Sequence, residues 1–188
     1  DRSDVDVLVS GSGAKLGLKQ CETITAWIIA QKPDFTVLIG PAQQAPGPTK
    51  ARKLLVEAGV PTAVISDGPA RKIVSRLEAD GFGYIIIDAD AMIGARREFL
   101  DPVEMALFNA DMIKILAVTG VLRVITESLD DLIQAVKSVS GLQLPRLLVT
   151  KESAVASSGL INSYARAKAM AAYEIARHVA GVDSAACF

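Results

Sequence analysis

Residues 36–69, TVLIGPAQQAPGPTKARKLLVEAGVPTAVISDGP, contain a complete unit of strand, helix and strand. The runs at 36–39 and 62–65 are short, almost wholly apolar and rich in β-branched residues, which is typical of strands buried on both faces. Between them, apolar residues recur at helical spacing, at positions 51, 54, 55 and 58, and Gly59 follows as a helix stop. The stretch therefore predicts a βαβ unit with two parallel strands.

The same pattern extends on both sides of this unit. Residues 5–9 and 84–87 form two more strand-like runs, and helical spacing marks residues 18–30 and 70–77. Three such units in a row predict an α/β fold, with a predominantly parallel, Rossmann-like sheet and helices on both faces. A helix-rich segment is expected to follow the sheet.

That helix-rich segment begins with a clear start signal. Residues 101–104, Asp-Pro-Val-Glu, combine an N-cap, a first-turn proline and a capping-box glutamate. Helical spacing runs from there to about residue 119, pauses at Gly120, and continues over 121–139.

One more strand and a long helix are expected after it. Residues 144–149 read as a strand that Pro145 limits to a sheet edge or a strand start. A last helix is predicted over about 162–179. We expect one compact unit, with a sheet region at 1–100 that carries the ligand site and a helix-rich region at 101–188 packed on it.

Composition argues against several classes of protein. With 20 basic and 21 acidic residues the net charge is −1, so no overall field indicates nucleic acid binding. The apolar runs are too short to span a membrane, and the first residues do not resemble a secretory leader, so a cytoplasmic location is expected. Cys21 and Cys187 lack CxxC spacing and are expected to be reduced thiols. The lone His178 is expected at the surface, since no metal-ligand spacing surrounds it.

Four loops follow the four predicted strands and share one edge of the sheet. They are residues 11–15, 41–48, 67–69 and 88–97, and all are rich in Gly, Pro or Asp. Ligands bind at the carboxyl edge of parallel sheets, and Gly and Pro shape a loop for close backbone approach. The alternative is that these residues only make the turns that any α/β protein needs.

Basic residues at the predicted helix starts suggest the charge of the ligand. Lys50 and Arg52 follow Pro48, while Arg71 and Lys72 follow Pro69, and Arg96 and Arg97 lie in the fourth loop. Helix N-termini disfavour cations unless an anion offsets them, which favours an anionic ligand. The alternative is that these side chains extend into solvent.

The sequence lacks several familiar nucleotide-binding and catalytic motifs, which limits the kinds of reaction that it predicts. Gly11, Gly13 and Gly17 give GxGxxxG, one residue longer than the dinucleotide fingerprint, and neither a P-loop nor a GxSxG elbow is present. No residue is assigned as a catalytic acid or base. A cofactor that carries the chemistry, as in hydride transfer, fits this pattern.

Five stretches together resemble a known family: VSGSGAK at 9–15, APGPTKAR at 45–52, GYII at 83–86, MIGARREFLDP at 92–102 and KAMAAYEIA at 168–176. They are similar, in the same order, to the coenzyme F-420-dependent methylenetetrahydromethanopterin dehydrogenases of methanogenic archaea. Compared with that family, the chain is expected to lack an N-terminal strand and a C-terminal tail. It also departs from the family's loop patterns at Ala42, Gln43 and Arg71.

The resemblance implies an oxidoreductase that transfers a hydride reversibly between the reduced deazaflavin and methenyl-tetrahydromethanopterin. It further implies coenzyme F-420 as a dissociable cosubstrate, no metal or flavin prosthetic group, a tetrahydromethanopterin-type substrate and a homo-oligomer, a hexamer in the family. The alternatives are an NAD(P)-linked oxidoreductase and a non-catalytic paralogue that serves in binding or assembly.

Site residues follow from the loops and the resemblance together. For the coenzyme we expect these residues: Gly11, Ser12, Gly13, Lys15, Pro41, Pro46, Gly47, Asp67 and Gly68. For the pterin we expect Arg96, Arg97 and Glu98.

Overall fold

The computed structural model describes residues 3–13, 16–89, 102–138 and 141–186. In chain order its elements are α1 (Leu18–Ala30), β1 (Thr36–Ile39), α2 (Pro46–Glu57), β2 (Thr62–Asp67), a 3-10 helix (Gly68–Ile73), α3 (Val74–Ala79), β3 (Gly83–Ile87), α4 (Pro102–Val118), α5 (Val121–Lys137), β4 (Arg146–Val149), α6 (Lys151–Ser157) and α7 (Ser163–Ala186). Each described strand pairs in parallel with its neighbour, in the order β1-β2-β3-β4. The predicted α/β class with a parallel sheet is confirmed.

Both faces of the two central strands are covered: β2 and β3 are buried along their whole length, and their successive side chains point to opposite faces. Val64 and Ile86 pack with Leu55 of α2 and Leu77 of α3 on one face. On the other face the adjacent strand residues form a second cluster with Val121 of α5, Val149 of β4 and Tyr173 of α7. Helices of the first half thus cover one face, and helices of the second half cover the other.

Edge strand β4 follows the sequence pattern closely. It begins at Arg146, directly after Pro145, and pairs only with β3 among the described strands. Proline cannot donate a backbone hydrogen bond to a ladder, so it fits where the pairing starts. The carbonyl oxygen of Pro145 still accepts from the backbone N–H of Tyr84 at 2.6 Å.

The strand predicted at 5–9 is wrong. These residues have no regular secondary structure, and Val7 and Val9 are 76% and 85% exposed. An apolar run becomes a strand only where a neighbouring backbone completes its hydrogen bonds, and none of the described strands pairs with it. The ladder instead starts at β1, whose Ile39 is 65% exposed.

Helix predictions differ from the structure mainly in their ends. The predicted helix at 70–77 begins as the 3-10 helix, and α7 continues to Ala186. The short α6 was not predicted, since seven residues give little periodic signal. It is capped by Thr150 and Ser153, whose side chains and backbone N–H groups bond reciprocally. The predicted N-cap Asp101 lies outside the described residues. Within the described parts of the chain, no helix is long and apolar enough to cross a membrane.

Gly120 joins α4 to α5 at a position that only glycine fits. Its φ is +88°, in the left-handed region, and a Cβ there would collide with the carbonyl oxygen of Ala154 in α6. Gly59, after α2, also has a positive φ of +66°, but an added Cβ would meet nothing within 4 Å. The two glycines therefore share backbone strain and differ in packing.

We predict that Gly120→Ala lowers the free energy of unfolding by well over 2 kcal/mol, because left-handed strain of about 1–2 kcal/mol is joined by a backbone clash. Gly59→Ala, the matched control, carries only the strain. Urea unfolding of both variants measures the difference. Equal losses would show that the α4–α5 turn does not pack closely against α6.

Candidate functional site

The carboxyl ends of all four strands lie at one edge of the sheet, where Gly40, Gly68, Asp88 and Thr150 follow β1, β2, β3 and β4. The predicted loops at 41–48 and 67–69 therefore share this edge, as does the beginning of the loop at 88–97. We call it the carboxyl edge. The end of β4 and the side chain of Tyr173, both from the helix-rich region, also reach this edge, and neither was predicted as part of the site.

The remaining predicted site residues do not follow a strand of the sheet. Gly11, Ser12 and Gly13 follow the unpaired segment at 5–9, and an added Cβ at Gly11 or Gly13 would meet nothing within 4 Å. Lys15, Arg96, Arg97 and Glu98 lie outside the described residues.

A buried hydrogen-bond network fixes the loop after β1. The carbonyl oxygen of Gly40 accepts from Gln43 Nε2 and from Ser66 Oγ, each at 2.9 Å. Gln43 in turn accepts from the guanidinium of Arg52, at 2.6 Å to its backbone oxygen and 2.8 Å to Oε1. Ala42, between them, is held at φ +50°, a conformation unusual for a residue with a Cβ. The loop shape is thus set before any ligand binds.

Arg52 is not available to a ligand in the way that its place at a helix start suggested. It is 4% exposed, and burial lowers the pKa of its guanidinium. Because its donors are directed at Gln43, it acts as a brace for the loop, not as a free cation at a helix start. The sequence could not show this, since Gln43 is nine residues away and reaches Arg52 only through the turn.

Two further cations at the helix starts are paired, whereas Lys72 is exposed and makes no ion pair with the described residues. Arg71 lies 2.8 Å from Asp88 Oδ2, and Lys50 lies 3.5 Å from Glu22 of α1. Asp88 is largely buried, with its side chain 13% exposed, so the Arg71 pair links the segment after β2 to the end of β3. For Arg71 and Lys50, the expectation of charges without an acidic partner in the protein was therefore wrong, because Asp88 and Glu22 come from other elements.

The start of α2 keeps the positive end of a helix dipole but few backbone donors, since Pro46 and Pro48 carry no N–H and the N–H of Thr49 bonds to the carbonyl oxygen of Ala45. Its N-cap is Ala45, which gives no side-chain cap, and its first turn holds no acidic residue. Pro46 occupies the first helical position. Gly47 is buried, and a Cβ there would collide with the carbonyl oxygen of Leu16 and come within 2.8 Å of Cys21 Sγ. The glycine is therefore required for packing of α2 on α1.

Cys21 and His178 both lie where the sequence predicts them. Cys21 is a free thiol, 4% exposed, and burial raises its pKa, while Cys187 lies outside the described residues. His178 is exposed on α7, where its Nε2 lies 3.6 Å from Glu174, as expected for a surface residue. Among the described residues, no cluster of three or more His, Cys, Asp or Glu side chains could hold a metal ion.

Tyr173 of α7 packs against the carboxyl end of β4. It is 1% exposed, and its hydroxyl donates to the carbonyl oxygen of Val149 at 2.8 Å. Burial, together with the negative charge of Asp88, raises the pKa of Tyr173 to about 12. Next to it, Glu174 accepts from Lys151 at 2.8 Å, which lowers the pKa of Glu174 and raises that of Lys151. These contacts attach α7 to the end of β4.

Fold and edge together define a Rossmann-like α/β protein whose polar groups converge at the carboxyl ends of parallel strands. The family model for methylene-5,6,7,8-tetrahydromethanopterin dehydrogenase matches residues 1–188, and the chain belongs to this family.

Individual relatives agree with that assignment. The chain is 50% identical to the F420-dependent methylenetetrahydromethanopterin dehydrogenase of Methanocaldococcus jannaschii and 47% identical to that of Methanothermobacter marburgensis. Each match covers 100% of this chain and 68% of the relative. A solved structure of an F420-dependent methylene-tetrahydromethanopterin dehydrogenase, in complex with methylene-tetrahydromethanopterin and coenzyme F420, is 44% identical with a TM-score of 0.84. That match covers 93% of this chain and 64% of the solved chain.

We predict that stability at high pH depends on Tyr173. Unfolded tyrosine ionises near pH 10.0, whereas the folded protein keeps this proton to about pH 12. The contribution is therefore fully present below pH 10 and falls by about 1.4 kcal/mol per pH unit as the pH rises towards 12. Tyr173→Phe should be less stable at neutral pH and should lack this extra slope. Urea unfolding from pH 9 to 12 measures it, with exposed Tyr164→Phe as the control. A slope that survives in Tyr173→Phe contradicts the assignment.

Proposed function

We propose that this protein transfers a hydride reversibly between the reduced deazaflavin coenzyme F-420 and methenyl-tetrahydromethanopterin. The hydride leaves the reduced coenzyme and adds to the methenyl cation, which gives oxidised coenzyme and neutral methylene-tetrahydromethanopterin. The observation that carries the proposal is the match over residues 1–188 to one dehydrogenase family. The solved relative with both ligands supports it.

The structure fits such a coenzyme at the carboxyl edge. Loop 41–45 is pre-shaped by Arg52 and Gln43, and the start of α2 leaves its N-terminus without an acidic residue for an anionic group. We propose that the coenzyme contacts these residues: Gly11, Ser12, Gly13, Lys15, Pro41, Pro46, Gly47, Asp67 and Gly68. The coenzyme supplies or accepts the hydride, and the protein residues bind and orient it.

We propose that the pterin lies next to it, at Arg96, Arg97 and Glu98, between the sheet region 1–100 and the helix-rich region 101–188. We also propose that the protein acts in the cytoplasm as a homo-oligomer. Sedimentation of the purified protein tests the assembly.

Hydride transfer is measured with the purified protein, methylene-tetrahydromethanopterin and oxidised coenzyme F-420. We expect reduction of the deazaflavin, seen as loss of its visible absorbance, and no reaction when NAD or NADP replaces it. Turnover with a nicotinamide alone would favour an NAD(P)-linked oxidoreductase. Coenzyme binding without turnover would favour a role in binding, and the absence of both would exclude the proposal.

The start of α2 gives a prediction in which stability and binding change in opposite directions. Ala45→Asp adds a negative charge at the helix N-terminus and a side chain that can cap the N–H of Gly47, since Pro48 has none, so we expect the free energy of unfolding to rise by up to about 1 kcal/mol. The same charge should repel an anionic coenzyme and raise its Kd severalfold, less so at high salt. Urea unfolding and fluorescence titration with coenzyme F-420 measure the two effects.

Ala45→Ser is the matched control, because it adds a cap without a charge. It should stabilise the protein and leave the Kd close to that of the unchanged protein. If Ala45→Asp also leaves the Kd unchanged, the α2 N-terminus does not face an anionic group of the coenzyme.

A further inference from the structure

Asp67 is a buried carboxylate at the carboxyl edge, and within the described residues it caps no helix and makes no ion pair. It ends β2 and is 8% exposed. It occupies the N-cap position of the following 3-10 helix, yet its side chain makes no capping hydrogen bond. Within the described parts of the chain it makes no ion pair, whereas neighbouring Asp88 is paired with Arg71. The usual structural roles of an aspartate at a strand end are therefore not filled here.

The hydrogen-bond partner of Asp67 is a shared one. Ser66 Oγ lies 3.1 Å from Asp67 Oδ1 and 2.9 Å from the carbonyl oxygen of Gly40. A hydroxyl has a single proton, so it donates to one of these acceptors at a time. When Ser66 donates to Gly40, the carboxylate receives no hydrogen bond from the described residues, and its Oδ2 receives none from them in either case. A buried carboxylate without a donor is costly, and a donor from a ligand would stabilise it.

An apolar surface lies on the same side of the sheet as Asp67. Side chains alternate along a strand, so Asp67 shares its face with Ile65, and Ile65 is paired in register with Ile39 of β1. Ile39 is 65% exposed. With a rise of about 3.3 Å per residue and a strand spacing of about 4.8 Å, the Cα atoms of Asp67 and Ile39 are separated by roughly 8 Å. A fused heterocycle can cover that distance, with its ring face on Ile39 and one edge at Asp67.

We propose that Asp67 accepts a hydrogen bond from a ring N–H on the pyrimidine edge of a bound fused heterocycle, while Ile39 supports the ring face. The inference rests on the proposed function, because a deazaflavin and a pterin both carry such an edge. It assigns Asp67 to ring recognition and not to the phosphate or carboxylate groups of either ligand, which its negative charge would repel.

The test uses ring compounds that lack anionic tails. Binding of the free deazaflavin chromophore and of a simple pterin is measured by fluorescence titration, each beside its derivative methylated at the pyrimidine N–H. The protein should prefer the free N–H form of one ring by about tenfold or more, the range expected for a hydrogen bond to a charged group. The ring that shows this preference is the one that Asp67 recognises.

Asp67→Asn, which keeps the shape, should reduce that preference severalfold, because a neutral amide oxygen accepts a weaker hydrogen bond than a carboxylate does. Asp80→Asn is the matched control, since Asp80 is an exposed aspartate after α3, near the amino ends of the strands. It should retain the full preference. Equal binding of methylated and unmethylated rings by the unchanged protein overturns the proposal, even if Asp67→Asn does not fold. An undiminished preference in folded Asp67→Asn also overturns it.

Hydride transfer is followed separately, so that the two proposals can fail independently. A protein that shows the Asp67-dependent preference without turnover keeps this inference and loses the proposed function. Turnover without the preference keeps the function and rejects the role of Asp67. Failure to bind any ring rejects the inference directly.

Discussion

The parallel ladder from β1 to β4 is the constraint on which the other features depend. Parallel pairing places all the described strand ends at one edge, and it requires cover on both faces because the crossover segments lie there. The first-half helices pack on Val64 and Ile86, and the second-half helices pack on Ile65 and Ile85. Both regions of the chain are thereby brought to the same row of loops.

Polar contacts then make that row of loops rigid. Gln43 and Arg52 hold the turn after β1, the Arg71–Asp88 pair ties the segment after β2 to the end of β3, and Tyr173 attaches α7 to β4. Each contact joins residues that are distant in the chain. A pre-shaped edge is suited to hydride transfer, in which two ring systems must be held in a fixed relative orientation.

Asp67 differs from these groups. Its neighbours are satisfied within the protein, while its own carboxylate shares one hydroxyl proton with a backbone carbonyl. Among the described residues it caps no helix and pairs with no cation, so a hydrogen-bond donor from a ligand would stabilise it. The sequence placed Asp67 in the coenzyme site because of its position after a strand, but only the arrangement of Ser66, Gly40 and Ile39 suggests which part of a ligand it meets.

The sequence by itself determined the class of fold, the bounds of α1 and β1, the edge position of β4 and the family. These follow from local periodicity, from glycine and proline signals and from short characteristic stretches, all of which depend on residues that are close together in the sequence. The sequence wrongly predicted a strand at 5–9, and it wrongly left Arg52, Lys50 and Arg71 without partners inside the protein. Only the tertiary structure decided those, because strand pairing and charge pairing depend on partners that the fold brings from elsewhere in the chain.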